Sequence, residues 1–152
     1  TQATTAPTST GSRKAVWTSD NDRTLMASLK ESKHAGFQTD NGGFHSDAYK
    51  AAAVRLQEED SNLNESERQG APKTADSCKT RFTTLKKDFR IVKILRNMSG
   101  FGWDPLKQLV TAPDSVWAAC IKANPKYAKW QKKSFPVYDD MAELVDGHVA
   151  TG

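Results

Sequence analysis

This chain has little of what most enzymes and most secreted domains rely on. Its 152 residues hold two cysteines, Cys78 and Cys120, and three scattered histidines, His34, His45 and His148. No Cys/His spacing matches a zinc site, and no glycine-rich loop ending in lysine is present to cradle phosphates. No run approaches the roughly 18 apolar residues of a membrane span, and none has the shape of a secretory signal. Two cysteines on apolar helix faces are expected to be buried thiols in a reducing compartment rather than a disulfide framework. A carboxylate cluster of the kind a metal could use, Asp139, Asp140 and Glu143, follows Pro136 at the start of an expected helix, where acids suit the helix dipole better than a metal. No catalytic group, metal or cofactor is therefore expected.

What the chain does have is positive charge concentrated in one place. From Lys73 to Arg96 there are eight basic residues (Lys73, Lys79, Arg81, Lys86, Lys87, Arg90, Lys93, Arg96) against two acids, Asp76 and Asp88, although the whole chain carries only +4. Cys78, Phe82, Leu85, Phe89 and Val92 recur at spacings of 4, 3, 4 and 3, which stacks them on one helical stripe. Thr74 is the expected N-cap and Gly100 the stop. Lys79, Thr83, Lys86, Arg90 and Lys93 form a ridge about a quarter-turn from the stripe, with Thr80 and Lys87 nearly opposite it. Ile91, Ile94 and Leu95 point elsewhere, so the second half of the helix is expected to be buried on more than one side. That leaves about Lys79 to Arg90 to enter a groove. A concentrated cationic face is the footprint of a surface that meets phosphates; the bland alternative is a solvated charged face.

Two helices are expected upstream. Thr18 caps the first, with Asp20 and Asp22 in its first turn and Trp17, Leu25 and Leu29 on its inner face, ending at Gly36. After the turn-rich stretch 37–43, Ser46 caps the second, with Phe44 closing over its start and Tyr49, Ala53 and Leu56 inward. Trp17, Tyr49 and Phe82 then give each helix one large aromatic for a small core. Residues 57–73 read as a polar linker carrying Glu58, Glu59, Asp60, Glu65 and Glu67, whose negative balance argues that it points away from DNA. It is read either as a tolerated surface insertion or as a partner-binding or autoinhibitory loop.

Downstream, Thr111 and Pro113 open a fourth helix with Val116, Trp117, Cys120 and Ile121 on its apolar face. Asn124-Pro125 starts a short fifth carrying Tyr127 and Trp130, and Phe135-Pro136 a sixth with Tyr138, Met141, Leu144 and Val145 inward. Trp103, Trp117 and Trp130 are read as core rather than as base-stacking platforms. Trp103 and Trp117 are the expected lid for Ile91, Ile94 and Leu95. Lys122, Lys126, Lys129, Lys132 and Lys133 form a second basic run without an intervening acid, read either as reaching flanking phosphates or as a solubilising surface.

Trp17-Thr18 with Leu25 and Leu29, Gly43-Phe44 with Tyr49, Cys78 to Phe82, Leu85 to Phe89, and above all the string Ser99 to Asp104 (SGFGWD) resemble the Myb/SANT-like DNA-binding domains of plants and fungi. The resemblance covers about residues 15–145. It implies an all-α protein: a Myb/SANT-type three-helix bundle with a C-terminal helical extension, of trihelix-like proportions, whose third helix contacts DNA. Such domains occur in proteins similar to the Myb-like factors of Harbinger-type transposons and in plant regulators. The organisation expected is a disordered leader (1–14), the three-helix domain (15–98, with the 57–73 insertion), an extension packed on helix three (99–145) and a tail (146–152). The expected DNA-contacting set is Lys79, Thr80, Arg81, Thr83, Lys86, Lys87, Arg90 and Lys93, with Arg81 beside the stripe and suited to phosphate contact or packing. The partner implied is double-stranded DNA in the nucleus, with no membrane role. The alternative is a SANT-type protein-interaction module for a transposase or chromatin partner.

Overall fold

The computed structural model describes residues 14–63 and 70–146. Its elements are α1 (Ser19–His34), α2 (Ser46–Ser61), α3 (Ala75–Asn97), β1 (Gly102–Asp104), β2 (Leu109–Thr111), α4 (Asp114–Ala123), a 3₁₀ helix (Pro125–Gln131), α5 (Tyr138–Met141) and a closing π-helical turn (Ala142–Asp146). The chain is mostly helical, as expected, with a two-stranded sheet as the departure. It forms two compact units that divide inside α3, between Arg81 and Phe82. The expected leader lies outside the described residues except for Lys14, as does the tail beyond Asp146.

In the first unit, α1 starts on a reciprocal cap. The Asn21 N–H donates to Thr18 Oγ1 and the Thr18 N–H to Asn21 Oδ1, both at 3.1 Å, so two otherwise unpaired donors are satisfied. It stops at Gly36, whose φ of +90° lets Phe37 N–H reach Ser32 O at 2.9 Å and Gly36 N–H reach Lys33 O at 3.1 Å, the paired closure of a Schellman ending. The start of α2 differs from expectation by one residue. His45, held extended by its N–H bond to Phe37 O, occupies the cap position without a side-chain bond, and Ser46 is already helical. Phe44 and Tyr49 then fall at the two staple positions, and their rings meet edge to face at 6.1 Å.

The acidic linker also starts later than its polarity suggests, because α2 runs on to Ser61. Glu59 accepts from Asn21 Nδ2 at 2.6 Å and from the Thr24 hydroxyl. Asp60 pairs with the buried Lys73 ammonium at 3.2 Å, and Gln57 Nε2 donates to Lys73 O at 2.6 Å. These acids are structural ties rather than a repelled loop; Glu65 and Glu67 lie outside the described residues. The core of this unit is Leu25, Met26, Leu29, Ala48, Tyr49, Ala52, Ala53, Leu56 and Cys78, with α1 packed on α2. Trp17 is not part of it. It is half-buried, with Lys73 Nζ and the Arg81 guanidinium 5.7 and 5.8 Å from its ring centre. Burial pushes the Cys78 thiol up to about 11, so it stays protonated at neutral pH.

The second unit begins with the larger part of α3, whose Phe82, Leu85, Phe89, Val92 and Leu95 are all buried. Gly100 ends the approach to the hairpin at φ +87°, where an added Cβ would sit 3.3 Å from the Val116 methyls. Strand β1 pairs antiparallel with β2, Trp103 opposite Val110. Asp104 Oδ1 accepts from Leu106 N–H at 2.9 Å and Lys107 N–H at 3.1 Å, an Asx turn at the Asp-Pro step. Gln108 closes the loop at φ +53°. Thr111 is therefore the last strand residue, and Pro113 rather than Thr111 precedes α4. The C-terminal pieces pack an aromatic chain: Trp103–Tyr138 at 5.4 Å, Phe89–Tyr138 at 4.9 Å, Phe135–Tyr138 at 6.4 Å and Trp130–Phe135 at 5.9 Å. Trp117 meets Phe101 at 5.0 Å. Trp117 and Trp130 are buried. The expected lid does not form over Ile94, which is 50% exposed.

Phe82→Ala is expected to cost about 3–5 kcal/mol, the range for truncating a buried aromatic. A urea midpoint matching the parent's would show that the Phe82 side chain contributes nothing to stability.

Candidate nucleic-acid interface

Helix α3 opens with its own reciprocal cap. Ser77 N–H donates to Thr74 Oγ1 at 3.1 Å, and Thr74 N–H to Ser77 Oγ at 2.6 Å. Because the apolar stripe is buried along the helix, the opposite side is fixed as the outward one. Of the eight residues expected to contact DNA, Lys79, Thr80, Thr83, Lys87 and Arg90 are exposed, and Lys86 is half-buried. The Lys86 amine lies 5.1 Å from the Phe82 ring centre; burial, then the neighbouring Arg90 charge, push its pKa down. It is the weakest-solvated cation of this face.

Two of the eight are committed elsewhere. Arg81 makes a two-pronged contact with the buried Asp22, Nε to Oδ1 at 2.8 Å and Nη2 to Oδ2 at 2.7 Å, and it lies over Trp17. Its position beside the apolar stripe makes it a packing cation. Lys93 donates to Asp146 Oδ2 at 2.7 Å, a bond that pushes its pKa up. Its charge is compensated within the second unit. Arg96, C-terminal to both, lies over the neighbouring Trp103 and Tyr138 rings, 4.5 Å from the centre of each.

The outward face is longer than the sequence suggested. Thr80, Thr83, Lys87, Arg90, Ile94 and Asn97 follow one another at steps of three and four residues, and all are exposed. Ile94 and Asn97 were missed because an isoleucine in an aliphatic stretch reads as core. The available signal was the seven-residue interval from Lys87 to Ile94 and from Arg90 to Asn97, which returns each pair to nearly the same side of a helix. Asp76 is the acid toward the N-terminal end of this face, and Asp88 sits half-buried on a flank. The first-turn aspartate faces the positive end of the helix dipole. Among the described residues, no three His, Cys, Asp or Glu side chains converge where a metal could bind, and no helix is long and apolar enough to cross a membrane.

A capped amphipathic helix, buried along one side and lined with threonines and cations on the other, is the architecture of a helical nucleic-acid-binding module. The chain belongs to the Myb/SANT-like DNA-binding domain family, which it matches over residues 16–120. It is also 32% identical over 81 residues to an uncharacterised protein of Arabidopsis thaliana, an alignment covering 53% of this chain. The match spans only 26% of that plant protein's length. No solved structure matches the chain.

Breaking the Arg81–Asp22 contact leaves a buried carboxylate without its charged donor. Arg81→Ala is expected to cost about 1.5–3 kcal/mol, as for hydrogen bonds to charged groups. Arg81→Lys should restore less than half, since an ammonium cannot make the two-pronged contact. Chemical denaturation reads both; a change within about 0.5 kcal/mol for Arg81→Ala would mean the pair contributes little to stability.

Proposed function

We propose that this chain binds double-stranded DNA by placing the outward face of α3 in the major groove, as the third, recognition helix of a Myb-type three-helix domain. The observation that carries this reading is the exposed face itself: Lys79, Thr80, Thr83, Lys87 and Arg90 lie on one side of a helix whose other side is buried. Lysine and arginine reach guanine edges and phosphates, threonine offers a hydroxyl and a methyl, and Asn97 has the donor–acceptor pair that reads adenine. Lys86 adds a fourth cation to this face. Ile94 offers an apolar contact of the kind a thymine methyl accepts. On this reading the protein is a nuclear binding module rather than an enzyme, part of a transcription-related or transposon-derived protein. A protein-interaction role remains the alternative. A reader of basic histone tails needs acids, whereas α3 presents cations outward.

Affinity for duplex DNA is expected to fall with salt. Four cations on α3 contribute about −3.6 to the log–log slope, at roughly −0.9 per phosphate neutralised. Lys87→Ala and Arg90→Ala should each weaken binding while leaving the melting temperature close to the parent's. Selection from random duplexes followed by anisotropy titrations at several salt concentrations measures this. Absence of binding at low salt, or affinity flat in salt, would overturn the proposal.

Ile94 gives a finer expectation. Replacing thymine by uracil in the selected site should weaken the parent, yet have a markedly smaller effect on Ile94→Ala, because the methyl contact is already gone. Equal sensitivity of the two proteins would remove Ile94 from the reading face.

A further inference from the structure

The 3₁₀ helix Pro125–Gln131 aligns side chains that an α-helix would spread. At three residues per turn, positions i and i+3 eclipse, whereas in an α-helix the same step rotates by about 60°. Lys126 and Lys129 therefore share one edge, and Lys132, whose N–H bonds to Lys129 O as the helix cap, extends it. With about 2.0 Å of rise per residue, the three ammonium stems span about 12 Å. Over that axial length one DNA strand presents three or four phosphates at about 3.4 Å each.

Three further observations separate this edge from ordinary solubilising charge. No acid occurs between Lys122 and Lys133, and Lys122, Lys126, Lys129, Lys132 and Lys133 are all exposed. The backbone beneath is pinned by Trp130, which is fully buried, with Lys129 and Lys133 at 5.0 and 5.2 Å from its ring centre. The edge also has a fixed place. Lys129 Nζ stands 4.0 Å from Asp88 Oδ1, which sets it against a flank of α3 at the level of Lys87 and Arg90, within the same compact unit. A helix lying in a major groove about 12 Å wide has a sugar-phosphate backbone along each flank.

We propose that Lys126, Lys129 and Lys132 form a second contact to the same duplex, engaging the phosphate backbone beside the groove that takes α3; this rests on the DNA-binding reading above. The edge contributes affinity and register, while base choice remains with α3.

The test uses the triple variant Lys126→Gln, Lys129→Gln, Lys132→Gln on the parent's selected duplex, with circular dichroism to show an unchanged melt. The salt slope should become shallower by about 2.7, at roughly 0.9 for each phosphate that is no longer neutralised, with the ranking of duplex sequences preserved. Lys107→Gln, an exposed lysine in the hairpin loop, should leave the slope unchanged. An unchanged slope in a folded triple variant that still binds DNA overturns the second contact and leaves the α3 reading intact. Loss of binding to single-stranded RNA without any change on the duplex also overturns it, assigning the edge to another polyanion. A parent protein that binds no duplex at all overturns both readings.

Discussion

Burial of one side of α3 is the constraint from which the rest of the candidate site follows. Five apolar side chains from Phe82 to Leu95, with Cys78 one turn earlier, are removed from water. Each large one contributes about 1.5–3 kcal/mol that exposure would forfeit. A helix anchored that way cannot rotate about its axis without exposing the stripe. The direction of Thr80, Thr83, Lys87 and Arg90 is thus decided by residues that touch no ligand. The caps at Thr74 and the stop near Gly100 set its length, and with it the extent of the outward face.

Charge on this protein is sorted rather than merely abundant. Arg81, Lys93 and Lys73 each hold a carboxylate at 2.7 to 3.2 Å, and Arg96 lies over two adjacent rings. These basic groups fasten elements together. Lys79, Lys87 and Arg90 on α3 and Lys126 and Lys132 on the 3₁₀ edge are exposed, and Lys129 is exposed beside Asp88. Net charge alone therefore misjudges the cationic surface, since at least half of the basic residues in the Lys73–Arg96 stretch are engaged by acids or aromatic rings of the same unit.

The helices of the first unit and the buried stripe of α3 were legible because each rests on short-range rules: a capping side chain three residues from its donor, a glycine at a left-handed position, apolar residues at steps of three and four. What escaped depended on partners distant in sequence. The end of α2 is extended by contacts of Glu59 with Asn21 and Thr24 and of Asp60 with Lys73, so a polar string became a helical turn. The hairpin at Gly102–Thr111 has strands too short for an alternation to register, and its turn rests on Asp104 accepting from two backbone N–H groups. Arg81 and Lys93 were placed on the right helix, yet their carboxylate partners lie 59 and 53 residues away, beyond the reach of any local pattern. The 3₁₀ character of Pro125–Gln131 was likewise hidden, because the same residues satisfy an α-helical reading of Tyr127 and Trp130.

The half-buried Lys86 has a chemical consequence of its own. An amine whose protonated form is disfavoured by burial beside Phe82, and by the charge of Arg90, keeps a larger share of free base near neutrality than a solvated lysine. An anion docking beside it would favour the ammonium. The protonation balance of this one amine is thus tied to whatever charge lies against the cationic face of α3.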